Sequence, residues 1–225
     1  MNEAADLFAG AHRILIVQLS AIGDVLRAGS VVSTFKRVYP SVRIGMLVFS
    51  DYAEVLAGIP ELSYRHVFPN SDLKRGINAA KCDVDLMRAV YDHAYLPLQE
   101  VQLRHYDVAV NFHFSPASAY LSALSGARNL LGMAPGPEGR IDVYGAHAFD
   151  LYDDLRSPDR MSRSTEHLAI RYHRMCGLPE DDVRLDYRVS SPPFEPFSDG
   201  RFYVAVHVGG GWPHAARRAA GKVAQ

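Results

Sequence analysis

The apolar positions of this chain fall into short unbroken runs rather than alternating ones. "RILIVQL" (13–19), "VRIGMLVF" (42–49) and "YDVAVNFHF" (106–114) are nearly continuous and rich in β-branched residues, the pattern of strands covered on both faces. "YRHVFP" (64–69) and "RNLLGM" (128–133) are shorter versions. Between them the spacing turns helical. Val25, Leu26, Val32, Phe35 and Val38 line one face of a helix ending at "YP". "DYAEVLAGIP" reads as a short helix capped by Asp51, and residues 70–104 as polar connections holding a helix around 85–95. "PASAYLSALSG" starts with proline in its first turn and stops at Gly126. "STEHLAIRYHRMCGLP" is a helix capped by Ser164 and ended by the glycine and proline of "CGLP". Strands alternating with helices predict an α/β fold: a Rossmann-like parallel sheet with helices on both faces.

Two stretches break this rhythm. Residues 133–163 are rich in Gly, Pro, Asp and Arg with weak periodicity, and read as a long surface excursion. "SSPPFEPFSDG" (190–200) is a proline-rich linker. Beyond it "RFYVAVHV" is another buried strand leading into "GGGWPH". The expected organisation is a domain over 1–189, the linker 190–200, and over 201–225 either an appendage on the first sheet or the stump of a second domain, since one strand–loop–helix unit does not bury its own faces.

Composition narrows the function classes. The 225 residues are 48% hydrophobic and 22% charged, with a formal net charge of −1, so no electrostatic footprint for nucleic acid is present. Cys82 and Cys176 are far apart and read as reduced thiols of a cytoplasmic protein. The opening "MNEAADLFAGAHR" has early acids and no apolar core, so no signal peptide is expected. No apolar run approaches the roughly 20 residues of a membrane span. At most the protein touches a membrane face.

Candidate chemistry sits in two turns. In "LSAIGDV" (19–25), Ser20, Gly23 and Asp24 follow the first strand, where α/β proteins bind ligands. Asp24 is either a helix cap contributing about 1 kcal/mol, or a carboxylate in a cleft ready to take a proton; the residues alone leave both open and favour the cap. "HVGGGW" (207–212) is either a backbone nest for phosphate or an ordinary loop. A dehydrogenase is disfavoured because "LSAIGD" lacks the G-x-G-x-x-G spacing. His167 and His173 do not share a helical face, and His207 and His214 flank a loop, so no metal site is expected.

The segments together resemble the family 9 glycosyltransferases, the heptosyltransferases of lipopolysaccharide core assembly. "RILIVQLSAIGDVLRAGSVVSTFKRVYPSVRIGMLV" is similar to that family's opening strand, its "LSxxGD(V/I)" turn, a helix ending in "(F/Y)P" and a second strand. "YDVAVNFHFSPASAYLSALSGARNLLGM", "HLAIRYHRMCGL" and "YVAVHVGGGWPH" continue the likeness, the last resembling the opening of the family's second domain. The resemblance implies the N-terminal half of a GT-B glycosyltransferase fold, with 1–189 on the acceptor side and 201–225 a stump of the nucleotide-sugar domain. It implies inverting transfer of a heptose from a nucleotide-sugar, ADP-heptose, to a lipopolysaccharide-core-like glycolipid, with no cofactor. Asp24 would be the general base. Ser20, Gly23, Arg27, Asn111 and His113 would meet the acceptor, and Gly209, Gly210, Gly211, Arg217 and Arg218 the nucleotide-sugar. The chain departs from the family pattern at Gln18, where Lys or Arg is common, and at Asn111 and His113, which replace an acidic residue and a glutamine. The resemblance also implies a truncated chain of little or no activity. The alternative is a non-catalytic acceptor-binding or assembly protein built on the same domain.

Overall fold

Two parallel strands need a crossover of a dozen or more residues between them. Helix α1 (Ile22–Val38) supplies it between β1 (Arg13–Val17) and β2 (Arg43–Phe49). The computed structural model describes residues 7–133, 154–155, 167–181 and 183–188. After β2 come a 3₁₀ turn (Ser50–Tyr52), α2 (Ala53–Ala57) and β3 (Tyr64–Phe68). The chain then crosses beneath the sheet through α3 (Asn70–Ala79), α4 (Asp83–Val90), a π-helical turn (Tyr91–Tyr95) and α5 (Leu96–Gln102) to reach β4 (Val108–Asn111). Helix α6 (Pro116–Leu124), β5 (Asn129–Gly132), the short β6 (Asp154–Leu155) and α7 (Leu168–Met175) follow.

The strands form one sheet of order β3-β2-β1-β4-β5-β6, every pair parallel. At its centre Ile16 lies between Met46 and Val110. Strand order reverses between β1 and β4, the switch point at which doubly wound sheets open a crevice beyond their carboxyl ends.

Both faces are covered, which is why the strands read as continuous runs. On one face Ile14, Ile16, Ile44, Met46, Val108 and Val110 pack with α1 (Val25, Val32, Phe35) and α7 (Tyr172, Met175). On the other, Leu15, Val17, Leu47, Ala109 and Leu130 pack with Val101 of α5 and Leu121 of α6.

Several expectations are corrected. Asp51 does not cap α2, whose N-cap is Tyr52 with no side-chain hydrogen bond. Val38 is exposed rather than on the core stripe. Residues 70–104 are mostly helical; the apolar signal there is blurred because Val84, Met87, Tyr91 and Tyr95 stay exposed. β6 lies inside the stretch read as an excursion. Helix α7 begins at Leu168, its N-cap His167 accepting from the Ala169 N–H through Nδ1 at 3.3 Å; Ser164 lies outside the described residues.

Cys82 is exposed, Cys176 is buried, and neither forms a disulfide. No helix among the described residues is long and apolar enough to cross a membrane. The chain divides into two units, Met1–Val189 and Ser190–Gln225. The second, with the linker 190–200 and the segment 201–225, lies outside the described residues.

Candidate active site

β1 ends at the switch point, and its continuation makes the turn into α1. The Gln18 N–H donates to the Leu47 carbonyl at 3.1 Å and Leu19 accepts from Phe49 N at 3.0 Å, so the turn is tied to β2. Ser20 is half-buried, and the Ser20–Ala21 peptide is cis. The N-cap of α1 is Ala21, with no side-chain cap. Asp24 therefore sits within the first turn, its N–H donating to the Ala21 carbonyl at 3.0 Å. This corrects the helix-cap reading of Asp24. The carboxylate instead accepts at Oδ1 from Arg27 Nη1, one turn on, at 2.5 Å. Both side chains keep over a third of their surface in solvent, 41% for Arg27 and 34% for Asp24, so the pair adds at most about 1 kcal/mol of stability and mainly orients the carboxylate. A negative charge here also complements the positive end of the helix dipole.

β4 forms the other wall. The Phe112 N–H donates to Val17 O at 3.0 Å, extending the β1–β4 pairing to the crevice edge. Asn111 is fully buried. Its Nδ2 donates to Ser118 Oγ at 3.1 Å and Met133 O at 2.7 Å, and its Oδ1 accepts from the His113 N–H at 3.1 Å. The structure thus gives Asn111 an internal job, joining β4, β5 and the start of α6, and not a position open to an acceptor. Ser115 and Ser118 cap α6 reciprocally, which fixes the loop carrying His113.

Two residues of this site carry little signal in the sequence, Gln18 and Tyr172. Gln18 is only 2% exposed. Its Nε2 donates to the Ser20 carbonyl at 2.5 Å and lies 3.4 Å from His113 Nδ1, while its Oε1 accepts from the Tyr172 hydroxyl at 3.4 Å. Tyr172 comes from α7 and stacks on Phe112 at 4.2 Å. The available clue was a glutamine inside an apolar strand run, since a buried amide needs partners.

Burial lowers the pKa of His113, opposed by the Ser20 carbonyl and by the charge of Asp24. Burial raises that of Tyr172, and Asp24 adds to the rise. The field of Asp24 thus reaches His113 and Tyr172 across the crevice. Ser20, Asp24, Arg27 and His113 lie near one another beyond the carboxyl ends of β1 and β4, linked through Gln18 and Tyr172. Gly23 is exposed at the same rim; a Cβ there would meet nothing nearer than Arg27 Nη1 at 3.7 Å. Gly209, Gly210, Gly211, Arg217 and Arg218 lie outside the described residues. Among the described residues no group of three or more His, Cys, Asp or Glu is placed to hold a metal ion.

No protein-family model matches the sequence, and no curated protein does. Solved structures do match. A family 9 glycosyl transferase from Veillonella parvula superposes with a TM-score of 0.58 at 16% identity, over 80% of this chain and 46% of that one. ADP-heptose lps heptosyltransferase II of E. coli gives 0.53 at 17% identity, over 79% of this chain and 47% of its own. E. coli heptosyltransferase WaaC with ADP-2-deoxy-2-fluoro heptose gives 0.56 at 14% identity, over 77% and 51%. The chain spans about half the length of each of these structures. Its Rossmann-like α/β fold is the one found in half of a family 9 glycosyltransferase.

Proposed function

We propose that this chain provides the acceptor half of an inverting, heptosyltransferase-type glycosyltransferase, with Asp24 as the general base. The observation that carries the reading is Asp24 itself: a carboxylate at the switch point, one oxygen held by Arg27 and the other left for a substrate hydroxyl. In the reaction the carboxylate takes the proton of an acceptor hydroxyl. The freed oxygen bonds to the anomeric carbon of the nucleotide-sugar from the face opposite the diphosphate, and the anomeric C–O bond breaks as nucleoside diphosphate leaves. Such a base contributes about 10²–10⁴-fold.

The exposed Gly23 supports the reading, because no described residue crowds the place of a side chain there and a glycine lets a ligand come close to the backbone. ADP-heptose is the proposed donor and a lipopolysaccharide-core-type glycolipid the proposed acceptor, met at the cytoplasmic face of a membrane. Gly209–Gly211 with Arg217 and Arg218 would hold the donor diphosphate, and Arg27 and His113 the acceptor.

The test is heptose transfer from ADP-heptose to a core-type glycolipid, followed by mass spectrometry, with the Asp24→Asn variant beside the unsubstituted chain. The expected loss is about 10²–10⁴-fold. With only the acceptor half proposed for this chain, transfer is expected to be weak; equal rates in the two chains, or no binding of the core-type glycolipid by the unsubstituted chain, would overturn the reading, and acceptor binding with no transfer at all would point to the non-catalytic alternative.

A further inference from the structure

The amide of Gln18 is almost wholly buried, and its partners dictate its orientation. The Ser20 carbonyl only accepts, so the group 2.5 Å from it must be the NH₂ of the glutamine. That places Oε1 opposite the Tyr172 hydroxyl, a donor, at 3.4 Å. One Nε2 hydrogen is then taken by Ser20, which leaves the other for His113 Nδ1, 3.4 Å away. A nitrogen that accepts carries no proton, so the ring proton belongs on Nε2.

We propose that Gln18 is a positioning residue that fixes His113 as its Nε2–H tautomer, presenting that N–H as a hydrogen-bond donor for an acceptor oxygen beside Asp24. The use of the N–H rests on the glycosyltransferase reading; the tautomer does not.

Geometry gives the network three anchors: β1 through Gln18, β4 through His113, and α7 through Tyr172. Asp24 is the ionised group that favours protonation of the ring, and Arg27 is paired to it. The Ser20 carbonyl competes by favouring a protonated ring, so without the Gln18 N–H the ring would turn its proton toward that carbonyl. A neutral N–H donor opposite a carboxylate base divides the work on a sugar acceptor: Asp24 takes a proton from one hydroxyl, while His113 donates to a neighbouring oxygen and holds the ring in place.

Long-range ¹H–¹⁵N NMR of the imidazoles on the full chain decides the matter without any substrate. The His113 resonance is assigned by its loss in His113→Gln. At neutral pH the expected pattern is a protonated Nε2 and an unprotonated Nδ1. Gln18→Met, which keeps the volume but removes the donor, is expected to mix the tautomers and raise the His113 titration midpoint by about one pH unit. Tyr172→Phe is expected to keep the Nε2–H form, because Ser20 still orients the amide. A protonated Nδ1 in the unsubstituted chain would overturn the proposal whether or not the variants fold. An unchanged tautomer and midpoint in folded Gln18→Met would do so too. Failure of acceptor binding alone would overturn the functional reading and leave this result standing.

Discussion

Gly45 shows how a single position can be fixed by a residue far away in sequence. It lies in the middle of a buried strand, where glycine weakens the ladder and offers no side chain to pack. A Cβ there would fall 1.9 Å from the Tyr106 hydroxyl oxygen and 2.7 Å from the carbon bearing it. Tyr106 is itself buried and cannot retreat. Its hydroxyl is held by His66 Nε2 at 2.6 Å, and its ring meets Tyr64 and His66 edge-on. Gly45→Ala is therefore expected to destabilise the fold by about 3 kcal/mol, the upper range for overpacking, measured by denaturant unfolding. Gly23→Ala is the control: its Cβ has room, and a change below about 1 kcal/mol is expected. Similar losses at both positions would contradict this account. The glycine in "VRIGMLVF" was visible in the sequence, but what fills its space was not, because Tyr106 arrives only through the β2–β1–β4 arrangement.

Helix ends illustrate what was legible in the sequence and what was not. The close of α7 is local chemistry and reads directly. Gly177 has φ +64°, its N–H reaches the Arg174 carbonyl at 3.0 Å, and Leu178 N–H reaches His173 O at 2.9 Å, a Schellman motif. Gly177→Ala is expected to cost about 1 kcal/mol and lower the melting temperature by a few degrees; no loss would mean the left-handed residue is not needed. Gly126 after α6, at φ +74°, was equally readable. Residue type alone misled at Asp24 and Asp51, because a good capping residue near a helix start does not say which residue is the cap. β6 has two residues and no pattern to find. For the site, the turn pointed to Ser20, Gly23 and Asp24 as candidates, while His113 and Asn111 came only through the family resemblance. Of these two, Asn111 faces inward. Tyr172 was hidden because it reaches Gln18 across 154 positions of sequence, so only the packing of α7 over β4 could reveal it.

The buried histidines link the whole molecule to pH. His66 lies against Tyr106 between β3 and the start of β4. His173 bridges α7 to α1, its Nδ1 bonded to Ala169 O at 2.7 Å and its Nε2 2.9 Å from Thr34 Oγ1, and His113 sits at the crevice. Burial is the leading cause of a lowered pKa in each. For His66 the value falls from 6.5 to about 4, with the nearby Arg104 charge adding to the effect of burial. The unfolded chain then binds a proton near pH 6.5 that the folded chain refuses until about pH 4. Between those values the unfolded state holds more protons, so stability declines as pH falls and levels off below the folded pKa. His66 alone accounts for roughly 3 kcal/mol across that window, and His113 and His173 act in the same direction. Glu180, whose pKa is lowered by its hydrogen bond with Arg174, favours the fold only above its unfolded value of 4.5, so its loss begins where the histidine window is closing. Urea midpoints measured from pH 7.5 to 4.5 are expected to fall steadily, with the slope reduced in His66→Gln. A flat profile over that range, or one unaffected by His66→Gln, would show that these rings accept protons without opening the core, and would remove the argument that their neutrality supports the packing on both faces of the sheet.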